Sequence, residues 1–262
     1  MSRRLDLSLM ARAVQLAGRG RYTTKPNPVV GCVIASGDRV IGEGWHERAG
    51  EPHAEIHALS QAGAAAKGAT AYVTLEPCSH HGRTPPCVEA LILAGISRVV
   101  YAMVDPNPEV AGAGLEKLRR AGITVDGPVL GDEALELNRG FIKRHQHGMP
   151  WVTVKLAMSM DARTAMASGE SQWITGVAAR SDVQRLRAQS CAIITGSGTL
   201  LHDDPSLTLR AAELGLDNAA EIAMRQPLRV VVCGKSPLPP EATLLTDGGR
   251  TLLATAVEKN IP

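Results

Sequence analysis

Leu5, Leu9, Ala13, Leu16 and Ala17 recur at helical spacing, with Asp6 near the start and Gly18 and Gly20 after the run. This pattern predicts an opening amphipathic helix. Residues 29–34 and 40–45 are short β-rich runs flanking Ser36-Gly37-Asp38, a hairpin signal. An alanine-rich helix is expected over 53–66 and a strand over 70–75. Helix 86–94, strand 98–104, helix 115–121 closed by Gly122, and strand 123–125 continue the alternation. A polar helix over 133–145 runs into His147-Gly148-Met149-Pro150, which breaks it. A hairpin followed by alternating helices and strands describes a mixed sheet covered by helices, a three-layer α/β domain placed at 1–147. A second α/β domain is placed at 148–262. It has strands over 151–156, 191–195, 228–233 and 251–254, a helix over 178–189, and Gly196-Ser197-Gly198 directly after a strand.

Composition narrows the function classes without choosing one. A hydrophobic fraction of 44% and a charged fraction of 21% are those of a globular protein. Net charge is only +2 and aromatic residues are 3%, so the basic stripe and stacking platform of a nucleic-acid binder are missing. No apolar run reaches the roughly 20 residues needed to span a bilayer. Cys32, Cys191 and Cys233 lie in or beside apolar strand-like runs and are expected as buried, reduced thiols in a cytoplasmic protein.

Candidate chemistry concentrates in the first half. His53-Ala54-Glu55 is followed by Pro77-Cys78 and then Cys87. One histidine and two cysteines can hold zinc through three ligands, leaving a fourth tetrahedral position for water. Glu55, which is not a ligand, is placed to move protons there, the arrangement used to remove an amino group from a nucleobase ring. The alternative is a structural site closed by His57, His80 or His81, or no metal at all; the glutamate would have no role in either. A metalloprotease needs Glu immediately after the first His, and this chain has Glu55 one position late.

The general deaminase signature separates its cysteines by two residues. Here Ser79-His80-His81-Gly82-Arg83-Thr84-Pro85-Pro86 intervenes. Pro77 to Cys87, Lys25-Pro-Asn-Pro-Val-Val-Gly31 and Gly44-Trp-His-Glu-Arg-Ala-Gly50 resemble the bacterial bifunctional deaminase–reductase family of riboflavin biosynthesis. So do 154–165, 168–175, 195–199 and 203–210 in the second half.

The resemblance implies a cytidine-deaminase-like domain, then a dihydrofolate-reductase-like domain that uses NADPH and is represented by its N-terminal part. The implied substrate is a small molecule, 2,5-diamino-6-ribosylamino-4(3H)-pyrimidinone 5′-phosphate. It further implies Asn27, His46 and His80 around the pyrimidine. Lys155, Ala157, Trp173, Thr199 and Asp203 would lie at NADPH, and Ser171, Arg187, Leu207 and Arg210 at the sugar phosphate. A homo-oligomer is implied as well. Arg83 is a candidate phosphate contact. Ala162 stands where the family has glycine after Asp161, which would strain the backbone if that position needs positive φ. Rival readings are a deaminase of bases in nucleic acid and a non-catalytic zinc-stabilised protein.

Overall fold

In the computed structural model, which describes residues 3–80, 85–108, 110–171, 173–234 and 238–256, the chain forms two compact units, 1–153 and 154–262. The first opens with α1 (Arg3–Ala17), the hairpin β1 (Gly31–Ser36) and β2 (Arg39–Trp45), and α2 (Ala54–Ala62). It continues through β3 (Thr70–Val73), α3 (Cys87–Leu93), β4 (Arg98–Tyr101), α4 (Ala113–Arg120) and β5 (Thr124–Asp126), ending with α5 (Gly131–Leu137) and α6 (Arg139–His147). The five strands form one sheet in the order β2-β1-β3-β4-β5. β1 pairs antiparallel with β2 and β3, whereas β3, β4 and β5 are parallel.

Two-residue alternation along β1 sorts its side chains between two cores. Cys32 and Ile34 join Ala54, Ala58, Val88, Leu91 and Leu118 beneath α2, α3 and α4. Val33 and Ala35 join Leu9, Met10, Ala13, Tyr72 and Ala134 beneath α1 and α5. Helices therefore cover both faces, and the first unit has the three layers that the pattern predicts. A buried polar tie crosses the second core: Tyr72 Oη donates to Asp6 Oδ1 (2.8 Å), and the Arg98 guanidinium meets both Asp6 oxygens (2.8 and 2.9 Å).

Small residues set how closely α2 approaches the sheet. Ala54, Ala58 and Ala62 face β2, where Gly42 and Gly44 lie opposite. A Cβ on Gly42 would stand 2.1 Å from the Ala58 carbonyl oxygen, and one on Gly44 would stand 2.4 Å from that of Ala54. Backbone contact this tight fixes the start of α2, which carries His53 and Glu55.

Two departures from the patterning have physical causes. The expected helix over 133–145 is two helices, divided at Asn138. That side chain accepts from the Val29 N–H (2.8 Å) and donates to the Val29 and Ala134 carbonyls (3.0 and 3.1 Å), diverting the chain from a continuous helix. The expected strand over 151–156 does not form: the segment pairs with no strand among the described residues, and β propensity alone does not make one. Val152, Val154 and Leu156 are all exposed instead.

In the second unit, α7 (Val177–Gln189) leads to β6 (Ala192–Gly196), α8 (Ser197–Asp203), α9 (Ala219–Ala223), β7 (Leu228–Val232), α10 (Thr243–Thr246) and β8 (Thr251–Ala254). The strands form a parallel sheet in the order β6-β7-β8. Leu200, Val231, Leu238, Ala242 and Leu244 pack on one face. Arg229 lies buried there, its guanidinium held by both Asp247 oxygens (2.6 and 2.8 Å) and by the Ser206 and Leu244 carbonyls. Cys32 is buried as expected, but Cys191 is exposed and Cys233 half-buried, because Cys191 precedes β6 outside the packed face. No helix among the described residues is long and apolar enough to cross a membrane.

Candidate active site

Three elements converge at one end of the first sheet. His53 is the N-cap of α2, Cys78 follows the segment leaving β3, and Cys87 opens α3 after Pro86. The structure brings His53 Nδ1 within 3.2 Å of Cys87 Sγ and 3.6 Å of Cys78 Sγ. All three donor atoms lie within 4.8 Å of one another. A tetrahedral zinc with Zn–N of about 2.05 Å and Zn–S of about 2.3 Å separates its N and S ligands by roughly 3.6 Å. The set therefore fits zinc in both donor chemistry and spacing. No fourth ligand joins it among the described residues; His57 and His80 stand outside the group, and His81 lies outside the described residues.

The cysteine pair is electrostatically unequal. Cys78 is held toward thiolate by a hydrogen bond from the Cys87 thiol, by His53, and by the Cys87 backbone N–H (3.3 Å). Cys87 is pushed strongly the other way by the neighbouring Cys78 sulfur and by burial. The His53 imidazole is raised, chiefly by its hydrogen bond with Cys78. Two thiols competing for one proton beside a histidine form a site ready to exchange protons for a cation.

Glu55 sits in the first turn of α2, two residues beyond His53, and is 3% exposed. Burial, then repulsion from Cys78, pushes its carboxyl up to about 7. Its Oε2 has no hydrogen-bond partner among the described residues. A buried carboxylate oxygen without a partner costs stability unless a ligand or proton completes it, which marks a functional position.

His46, at the end of β2, is 2% exposed and stands edge-on to the His53 ring, with centroids 5.3 Å apart at 82°. Its Nδ1 lies 3.2 Å from the Pro52 carbonyl and its Nε2 lies 3.2 Å from Asn27 Nδ2. Burial lowers its pKa. Asn27 is half-buried and His80 is exposed; Arg83 lies outside the described residues.

Patterning gave no hint of Glu76, whose carboxylate organises the ground beneath Cys78. Buried at 3% exposure, it accepts N–H groups from Gly114 (2.8 Å), Gly112 (2.9 Å), Asp105 (3.2 Å) and Leu115 (3.4 Å). It caps α4 and stitches the 105–115 segment to the backbone leading into Pro77 and Cys78. A Cβ on Gly114 would stand 2.2 Å from the Pro77 carbonyl oxygen, so only glycine allows this approach. The available signal was an acidic residue just before a Pro-Cys pair, which by itself specifies no partner.

The second-unit candidates are distributed. Ser171 and Trp173 line a recess of about 590 Å³ together with Ser159, Asp161, Arg163 and Glu170, a size suited to part of a small ligand. The Arg180 guanidinium lies 4.5 Å above the Trp173 ring. Lys155 is exposed and Ala157 half-buried in the segment without regular structure, and Thr199 and Asp203 are exposed on α8. Arg187 donates to the Thr208 carbonyl (2.8 Å), and its pKa is lowered by burial and by Arg210. Arg210 itself pairs with Glu213 (3.1 Å). Leu207 has a buried side chain and φ of 52°, leaving its backbone as the group available to a ligand. Ala162, in the turn beside the recess, has φ of 62°, the conformation that favours glycine.

Two family models match. Residues 3–103 match the cytidine and deoxycytidylate deaminase zinc-binding region, and residues 150–261 match the RibD C-terminal domain. The riboflavin biosynthesis protein RibD of Escherichia coli K12 is 57% identical over 256 residues, covering 97% of this chain and 70% of that protein. The Haemophilus influenzae RibD is 56% identical over 230 residues, or 87% of this chain and 62% of that protein. Among solved structures, Acinetobacter baumannii RibD superposes with a TM-score of 0.90 at 51% identity, covering 98% of this chain and 71% of that one. A diaminohydroxyphosphoribosylaminopyrimidine deaminase/5-amino-6-(5-phosphoribosylamino)uracil reductase from Thermotoga maritima gives 0.87 at 37%, covering 99% and 72%.

Proposed function

This chain belongs to the RibD family of riboflavin-biosynthesis enzymes, and from that premise we propose that its first unit deaminates 2,5-diamino-6-ribosylamino-4(3H)-pyrimidinone 5′-phosphate. The observation that carries the reading is the approach of His53, Cys78 and Cys87 beside the buried, unpartnered Glu55 Oε2. His53, Cys78 and Cys87 would hold zinc, which when bound supplies activation of water near neutral pH.

Glu55 then moves the protons. A carboxyl raised by burial accepts one proton from water and passes it to the ring nitrogen, then takes the second from the added hydroxyl and gives it to the departing amino group, which leaves as ammonia. Water adds at the carbon bearing the 2-amino group, the C–N bond to that group breaks, and the oxygen remains on the ring. His80, on the exposed segment after Cys78, and Asn27 border the pyrimidine.

In the second unit, Lys155, Ala157, Trp173, Thr199 and Asp203 would hold NADPH, which supplies hydride to C1′ of the opened ribose. Ser171, the Leu207 backbone, Arg187 and Arg210 would hold the sugar phosphate, the paired guanidiniums offering forked donors to an anion. The recess lined by Ser171 and Trp173 supports the placement of those two residues at a ligand. We place the enzyme in the cytoplasm, where its thiols stay reduced, and as a homo-oligomer.

The test is ammonia release from the diaminopyrimidine ribosylamine phosphate. Glu55→Gln should keep its zinc yet lose activity by about 10²–10⁴-fold. Full activity in that variant, or deamination of single-stranded nucleic acid instead, overturns the reading. For the second unit, NADPH titration followed by fluorescence should saturate; no binding at millimolar cofactor removes the reductase assignment.

A further inference from the structure

We propose that His46 is a positioning residue that orients the Asn27 amide, so that Asn27 presents a hydrogen-bond acceptor to the pyrimidine and His46 itself does not touch substrate. The inference rests on the deaminase reading above and replaces one role that the resemblance implies for His46.

The argument begins at Pro52. Its carbonyl oxygen can only accept, so the His46 nitrogen 3.2 Å away, Nδ1, must carry a proton. A neutral ring then has its lone pair on Nε2, and that nitrogen must accept. Its neighbour at 3.2 Å is Asn27 Nδ2, which can only donate. The two contacts therefore agree on one tautomer and one amide orientation. With Nδ2 committed to His46, Asn27 Oδ1 forms no hydrogen bond among the described residues and is left as the acceptor for a ligand. An acceptor there recognises an N–H of the substrate, on the ring or on an amino group, and rejects an analogue that presents only a lone pair.

Both His46 nitrogens are consumed inside the protein, and the side chain is 2% exposed, so no polar atom is left for substrate. The frame is also rigid. His46 N–H donates to the Val30 carbonyl (2.9 Å), and a Cβ on Gly20 would stand 2.5 Å from the His46 carbonyl oxygen. The Asn27 N–H in turn donates to the Thr24 carbonyl (2.9 Å). The segment carrying Asn27 is thus docked against the backbone of His46. Pro52 immediately precedes His53, so the same ring braces the entry to α2.

Two measurements test this on the zinc-loaded chain. Long-range ¹H–¹⁵N correlation of the histidine rings should find His46 as the Nδ1–H tautomer; an Nε2–H tautomer or an imidazolium at neutral pH overturns the proposal without reference to activity. In a double-mutant cycle on deamination, His46→Ala and Asn27→Ala should each lower kcat/KM by about 10- to 100-fold. The double variant should be little worse than either single one, because one residue acts through the other. His46→Gln, whose Oε1 can still accept from Asn27, should recover most of the loss; His46→Asn, which can keep only the Pro52 contact, should not. Multiplying effects in the double variant would mean that His46 contacts substrate directly. Loss of zinc in His46→Ala would make it a support of the metal site; either result overturns the proposal. A wild-type chain that releases no ammonia overturns the deaminase reading and the inference with it, whereas an active wild type with additive variants overturns the inference alone.

Discussion

Replacing Glu76 with glutamine is expected to destabilise the first unit by roughly 2–4 kcal/mol, although the change is isosteric and lies off the reacting atoms. The buried carboxylate accepts four backbone N–H groups, two at 2.8 and 2.9 Å and two at 3.2 and 3.4 Å. Glutamine keeps one oxygen and turns an NH₂ toward donors, so one pair of N–H groups loses its acceptor whichever way the amide lies. Each buried unsatisfied donor costs about 1–3 kcal/mol, and partial relaxation of the 105–115 segment lowers the sum. At about 2–4 °C per kcal/mol for a unit of this size, calorimetry should show its transition falling by roughly 5–15 °C. Amide exchange should also accelerate at Gly112 and Gly114. A stability change under about 0.5 kcal/mol, with unaltered exchange at those amides, would refute the reasoning.

Ala162→Gly should stabilise the second unit. A left-handed alanine costs about 1–2 kcal/mol, and the added unfolded-state entropy of glycine returns about 0.4–1, leaving a gain of roughly 0.5–1 kcal/mol readable by urea titration; a loss of stability would contradict the positive φ. Asp6→Asn tests the Tyr72–Asp6–Arg98 tie through pH. The hydrogen bond from Arg98 lowers the Asp6 carboxyl below its ordinary value of 3.8, so its contribution is fully present above the unfolded value and drains away as pH falls through the native one. The stability gap between wild type and Asp6→Asn should therefore narrow on acidification below about pH 4, and a gap independent of pH would contradict the tie.

The fold of the first unit was legible because its signals are local. Alternation in β1, the Ser36-Gly37-Asp38 turn and the alanine face of α2 each name an element from neighbouring residues. The helix over 133–145 misled because its interruption comes from a long-range contact, Asn138 to the Val29 backbone, which helical periodicity cannot register. The strand over 151–156 misled for the converse reason: β propensity names a willing segment, but a strand exists only where an edge accepts it. Cys191 followed the same logic, as an apolar neighbourhood in sequence did not place it on a covered face.

By itself the sequence determined the ligand types of the first unit, the glutamate beside them and the family, because residue identity and spacing carry donor chemistry. Tertiary structure alone decided which way that chemistry faces. It brought the ligand atoms of His53, Cys78 and Cys87 within 4.8 Å of one another, left Glu55 Oε2 without a partner among the described residues, spent both His46 nitrogens on Pro52 and Asn27, and set Glu76 under the segment leading to Cys78. The physical reason is that hydrogen-bond satisfaction and burial depend on atoms brought together from remote parts of the chain. The polar side chains alone do not tell a group that touches substrate from one that aims its neighbour.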